Sequence, residues 1–140
     1  MLTVDAAGER LGLTVSAVVG LSLEPPLVGV AVSRQAAMHE LLREAGGFAL
    51  SLLAGDQEDV AQHFARGVPP IALWAGIPLR ETAPDDPPEL DGAIAWLRGP
   101  IRAELETGDH TFFVAEVDSA ELAPRDPQPL VFHRQSYASL

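Results

Sequence analysis

At 140 residues and 47% hydrophobic side chains, the chain carries enough apolar material for one core and too little length for a second domain. A net charge of -11, with nine basic residues that are all arginine, argues against nucleic acid or an anionic membrane surface, both of which are bound by clustered cations. The missing lysine removes Schiff-base chemistry, and the missing cysteine removes disulfides, thiolate nucleophiles and Cys-ligated zinc.

No run of about 18 apolar residues and no basic, apolar leader is visible, so a cytoplasmic protein with neither membrane span nor secretory signal is expected. There is also no Gly-x-x-x-x-Gly-Lys loop, no Gly-x-Gly-x-x-Gly after a strand and no Gly-x-Ser-x-Gly elbow. An enzyme this poor in nucleophiles needs a cofactor to carry its reaction.

In chain order, residues 1–4 form a short apolar piece followed by a turn at Ala6-Ala7-Gly8. From Leu13 the sequence alternates. Leu13, Val15, Ala17, Val19 and Leu21 fall on one face of an extended chain and Thr14, Ser16, Val18, Gly20 and Ser22 on the other, which predicts one strand over 13–22. Its small polar face leaves room for a ligand against the backbone. Pro25 and Pro26 interrupt the ladder, and 27–32 resumes as a second strand. Ser33 is placed to cap a helix over 36–44, with Met38, Leu41, Leu42 and Ala45 inward and Gly46-Gly47 ending it.

Residues 48–53 read as a strand, and Asp56 caps a helix through Phe64, with Glu58 and Asp59 at its positive end. Residues 71–91, rich in proline and acid, read as a loop excursion with the character of a lid. Residues 93–97 and 101–106 form a strand bent at Gly99-Pro100, Gly108-Asp109 is a hairpin turn, and 110–117 return antiparallel. A polar turn over 118–128, a short strand at 130–132 and a tail from His133 complete the chain. The elements predict a mainly β fold with short helices.

The order of motifs resembles the flavin reductase-like family. Gly12-x-Thr14-x-Ser16 leading to Leu21-Ser22-Leu23-Glu24-Pro25-Pro26-Leu27-Val28 is similar to its signature. Phe-Ala-Leu-Ser-Leu-Leu at 48–53, Asp56-Gln57 to Phe64-Ala65, Leu90-x-Gly92-Ala93-x-Ala95-Trp96-Leu97, Gly108-Asp109-His110-Thr111-x-Phe113, Glu116-Val117 and Pro129-Leu130-Val131-Phe132 follow in register. The resemblance implies one FMN-binding split-barrel domain over 1–140: a mainly β (α+β), antiparallel, six-stranded Greek-key-like barrel with short flanking helices. Its N-terminal element is shortened relative to the family, leaving an edge for a second subunit to cover.

By that resemblance the activity is NAD(P)H-dependent reduction of FMN, or of FAD, by hydride transfer to flavin N5. The reduced flavin would then pass to a partner monooxygenase, and a homodimer with flavin near its interface is implied. Thr14, Ser16, Ala17 and Val18 would meet the isoalloxazine, Ser22, Ser33 and Arg34 the phosphate, and His110 the nicotinamide or the developing flavin charge. No metal ligand set is implied, and the spacing of His39, His63 and His133 marks them as surface or interface residues. Ala36 and Met38 stand where the family places phosphate-holding hydroxyls, at a cost of about 0.5 to 1.5 kcal/mol each. Two alternatives stay open: a non-catalytic FMN-binding domain, and a split-barrel flavoenzyme acting on a small organic substrate. Phe132, Tyr137 and Trp96 are read as core or dimer packing, with a ring stack on the flavin as the lesser reading.

Overall fold

A computed structural model describes residues 1–66 and 68–140. Strands β1 (Leu2–Ala6) and β2 (Glu9–Leu13) form a hairpin whose turn places Ala7 and Gly8 at φ 52 and 91. Asp5 closes that turn by accepting from the Gly8 amide and from Arg10 Nε, each at 2.8 Å. After a strand-free link come β3 (Val18–Leu23), β4 (Pro26–Ser33) and helix α1 (Ala37–Ala45), which Gly46 ends at φ 68 by donating to Leu42 O. Next are β5 (Gly47–Leu52), α2 (Glu58–Ala65) and α3 (Pro70–Leu73). The long β6 (Ala95–Thr107), β7 (His110–Glu116), β8 (Ser119–Leu122) and the hairpin β9 (Leu130–His133) with β10 (Ser136–Ser139) complete the chain.

The main sheet runs β2-β1-β5-β6-β7-β4-β3, with β8 on the free side of β6, and every pairing is antiparallel. One strand joins its two halves. β6 pairs with β5 through Pro100 and with β7 from Ile101 onward, so the bend expected at Gly99-Pro100 is the corner of the sheet. Gly99 is required there, because a Cβ would stand 1.8 Å from Glu116 O. The curled sheet brings Leu2, Val4, Phe48 and Leu50 of one half against Val28, Val30, Val32 and Phe113 of the other, with Met38, Leu41 and Leu42 of α1 closing the core. A second cluster, Met1, Phe64, Leu73 and Leu90, fills the space under α2 and α3.

Several expectations are corrected. The mainly β, antiparallel class with short helices holds, but among the described residues the main sheet has eight strands, plus the separate β9–β10 hairpin, where six were expected. The strand expected over 13–22 is broken: Leu13 ends β2 and Val18 begins β3. Tertiary bonds override the alternation, since Thr14 donates its hydroxyl to Ala61 O at 2.7 Å and its amide to Phe64 O at 3.5 Å. Ser33 does not cap α1; its N-cap is Ala36, without a side-chain bond, and α2 likewise begins after Gln57 and not Asp56. The polar turn contains β8 and the tail contains β10.

Residues 71–91 are pinned, which does not suit a lid. Pro88, Glu89 and Leu90 are buried, Thr3 Oγ1 donates to Pro88 O at 2.6 Å and Leu90 N donates to Ser51 Oγ at 3.0 Å. Arg80 pairs with Glu89 and Glu121, each at 2.8 Å, and lies 3.8 Å over the Trp96 ring. Trp96 itself is 6% exposed and donates to Leu90 O, so it is core as expected.

Candidate functional site

The link over 14–17 connects β2 and β3, the two ends of the sheet path. α2 holds its first residue, as above, while Ala31 N of β4 donates to Ala17 O at 3.0 Å and holds its last. Ser16 and Ala17 are therefore presented at the surface between two fixed points. Among the described residues, no protein acceptor takes the amide of Ser16 or Ala17, leaving two backbone donors open to a ligand.

A groove of about 550 Å³ opens beside this link. Thr14, Val15, Ser16 and Val18 line one part of it, Leu50 and Leu52 of β5 with Ile94 another, and the β9–β10 hairpin supplies Phe132 and Tyr137, whose ring centroids lie 4.9 Å apart. No Asp, Glu or Arg lines it. Such a groove accepts an uncharged planar ring and offers nothing to neutralise a phosphate.

One arginine, one serine and one histidine gather instead at the top of β4. Ser33 pairs with His110 across the β4–β7 ladder, and the next residue, Arg34, donates its amide to Asp109 O at 2.9 Å. Ala31, which holds Ala17, stands two positions before Ser33, roughly 7 Å along the strand. The Arg34 guanidinium is about half exposed and 3.7 Å from Glu106, a loose surface pair that a phosphate can displace at little cost. Ser33 Oγ accepts from the Gln35 amide at 3.3 Å, which leaves its proton available.

His110 is oriented by its neighbour. Its Nδ1 lies 2.7 Å from Asp109 Oδ1, and that hydrogen bond, ahead of the Coulomb attraction, holds the Asp109 carboxyl below its ordinary value of 3.8. The charged carboxylate fixes the proton on Nδ1 and leaves Nε2 without a protein partner among the described residues.

Of the residues marked in the sequence, Thr14, Ser16 and Val18 line the groove, Ala17 adjoins it through the link, and Ser33, Arg34 and His110 form the polar cluster. Ser22 stands apart from both. It pairs with Leu27, six positions from Ser33 along β4, or about 20 Å. The Thr14 hydroxyl is already donated to Ala61 O. Phe132 is 51% exposed, so it is a wall of the groove and not core. The hairpin's part in the site was only the lesser reading for Phe132 and Tyr137, because an aromatic on each side of a short polar turn does not reveal which distant segment it faces. His39, expected at the surface, is 2% exposed, and His63 is half-buried with Nε2 2.7 Å from Leu73 O. Among the described residues no cluster of three or more His, Cys, Asp or Glu could hold a metal ion.

A flavin fits this arrangement: an uncharged groove for a ring system, open amides beside it, and one arginine with a serine hydroxyl a short distance up the neighbouring strand.

Comparison with known proteins agrees with that chemistry. The chain is 41% identical over 132 residues to the reductase component of 4-hydroxyphenylacetate 3-monooxygenase from Thermus thermophilus, covering 94% of this chain and 80% of that one. It is 39% identical over 134 residues to an NADH-dependent flavin reductase from a Rhodococcus species, covering 92% and 69% respectively. The solved NADH:FAD oxidoreductase of Streptomyces globisporus, in complex with NAD and FAD fragments, superposes with a TM-score of 0.91 at 31% identity, over 99% of this chain and 82% of that one. The family description that matches residues 1–140, the whole chain, is the flavin reductase like domain, and the protein belongs to that family.

Proposed function

We propose that the protein is an NAD(P)H-dependent flavin reductase that delivers reduced FMN or FAD to a partner monooxygenase. The observation that carries this reading is the division of the site into an uncharged groove with open amides and a separate cationic end. The reductase and reductase-component names of the two relatives support the activity and the partner.

A flavin held by Ser16, Ala17, Ser33 and Arg34 would supply the hydride acceptor for a reduced nicotinamide. The chain's own contribution is placement. The amides of Ser16 and Ala17 donate to the polar edge of the ring, the groove walls exclude water, and Ser33 and Arg34 hold the phosphate. His110, held by Asp109 with its proton on Nδ1, orients the nicotinamide by presenting Nε2 as a hydrogen-bond acceptor. No side chain needs to form or break a covalent bond.

A homodimer with flavin near its interface fits the exposed Val19, Leu21 and Leu23 on β3, which is an open end of the sheet path. The absence of cysteine supports a cytoplasmic setting. Among the described residues no helix is long and apolar enough to cross a membrane.

Following NADH absorbance with free FMN tests the activity. Steady oxidation is the expected result. Flavin binding without NADH consumption would indicate the non-catalytic domain, and consumption only with an added organic acceptor would indicate an enzyme acting on that acceptor.

A further inference from the structure

One polar arrangement lies outside both the groove and the cationic end. His39 is 2% exposed on the inner face of α1, among Met38, Leu41 and Leu42, where an aliphatic side chain would pack without polar cost. Both its ring nitrogens are engaged: Nδ1 lies 2.8 Å from Glu40 Oε1, and Nε2 lies 2.7 Å from Thr111 Oγ1. Thr111 is 0% exposed, and the imidazole meets the Phe113 ring edge-on at 5.5 Å between centroids. Glu40 also accepts from Arg43, which in turn donates to Glu104 on β6 at 2.8 Å.

Carboxylate, imidazole and hydroxyl stand in the order of a hydrolytic triad. Burial rules that use out, because the Thr111 hydroxyl has no exposed surface through which to reach a substrate. The arrangement is a tie. The Glu40 carboxylate accepts from Nδ1–H, Nε2 shares a hydrogen bond with the threonine hydroxyl, and α1 is fastened to β7.

Its position along the ladder gives the tie a function. Thr111 pairs with Val32, and the adjoining pair is Ser33 with His110. The same helix begins three positions after Arg34, and the Arg34 amide is bound to Asp109 O. The His39–Thr111 bond thus grips β7 one residue from His110, the group assigned to the nicotinamide. We propose that His39 is a positioning residue for hydride transfer, acting through Thr111 to hold His110 in register; this rests on the flavin reductase reading above.

Steady-state NADH oxidation with FMN, measured on the whole protein, tests it in wild type, His39→Leu, Thr111→Val, Thr111→Ser, His110→Ala and the His39→Leu/His110→Ala double variant. His39→Leu and Thr111→Val are each expected to lower kcat/KM for NADH by about fivefold, the loss of one buried hydrogen bond. Thr111→Ser, which keeps the hydroxyl, should stay within about twofold of wild type. The double variant should be no slower than His110→Ala alone, since the tie acts through that imidazole. A lower Tm with unchanged kcat/KM in His39→Leu, or losses that multiply in the double variant, would overturn the proposal as showing a purely structural residue. Should His39→Leu fail to fold, Thr111→Val decides, and unchanged kcat/KM there overturns it. A wild type that oxidises no NADH would overturn the reductase reading and this assignment together, whereas active wild type with unaffected variants overturns this assignment alone.

Discussion

Arg34 and His110 divide the work at the top of β4. Arg34 is the basic side chain of the Ser33–His110 cluster, and its exposed pair with Glu106 contributes little to folding, so its removal is felt in ligand binding. Arg34→Ala is expected to weaken FMN about tenfold, read by fluorescence titration, with Tm unchanged within about 2 °C. The Asp109 carboxyl, held below its ordinary 3.8 by the His110 bond, stays charged down to that depressed value. Its contribution is complete above the unfolded value and lost only as pH falls through the folded one, so Asp109 imposes no acid limb on activity above pH 5. Asp109→Asn should lower kcat/KM several-fold by releasing the imidazole, read as NADH oxidation at about pH 7. Sequence could nominate His110 only because Gly-Asp-His-Thr resembles the corresponding family segment. It could not show that the Thr14 hydroxyl is spent on Ala61, 47 residues away, or that His39 is buried, because period and spacing identify a face and not its distant partner.

Among the elements, β6 is the one that shapes the site, since its bend turns the β1–β5 half against the β4–β7 half and brings the 14–17 link beside the groove. Gly99→Ala places a methyl 1.8 Å from a backbone carbonyl that cannot rotate away. We expect a loss of about 1 to 3 kcal/mol in denaturant unfolding, with the corner shifted and flavin affinity reduced. That corner was legible, because Gly-Pro inside an apolar run has few other uses. The break between β2 and β3 was not, since the alternation passes through it and only the capture of Thr14 by α2 interrupts the ladder. β8 was hidden for the opposite reason: an edge strand of four mostly exposed residues carries no apolar period to detect. α3 escaped notice because a single turn after two prolines is too short for a helical pattern.

For the whole molecule, the open sheet path leaves β3 with Val19 and Leu21 about half exposed and Leu23 at 93%. A row of this kind on an unpaired edge favours a second copy. Leu21→Glu with Leu23→Glu is expected to shift sedimentation from dimer to monomer and to reduce flavin affinity with it; a wild type that sediments as a monomer contradicts this. The central claim concerns the site, and titrating the protein with FMN while following flavin fluorescence, then adding NADH, tests it most directly. Saturable quenching near roughly 1 μM flavin, followed by bleaching, is the predicted result, with Arg34→Ala displaced to about tenfold higher flavin. Absence of quenching at about 100 μM flavin would contradict the account, leaving the groove and the cationic end without the ligand that joins them.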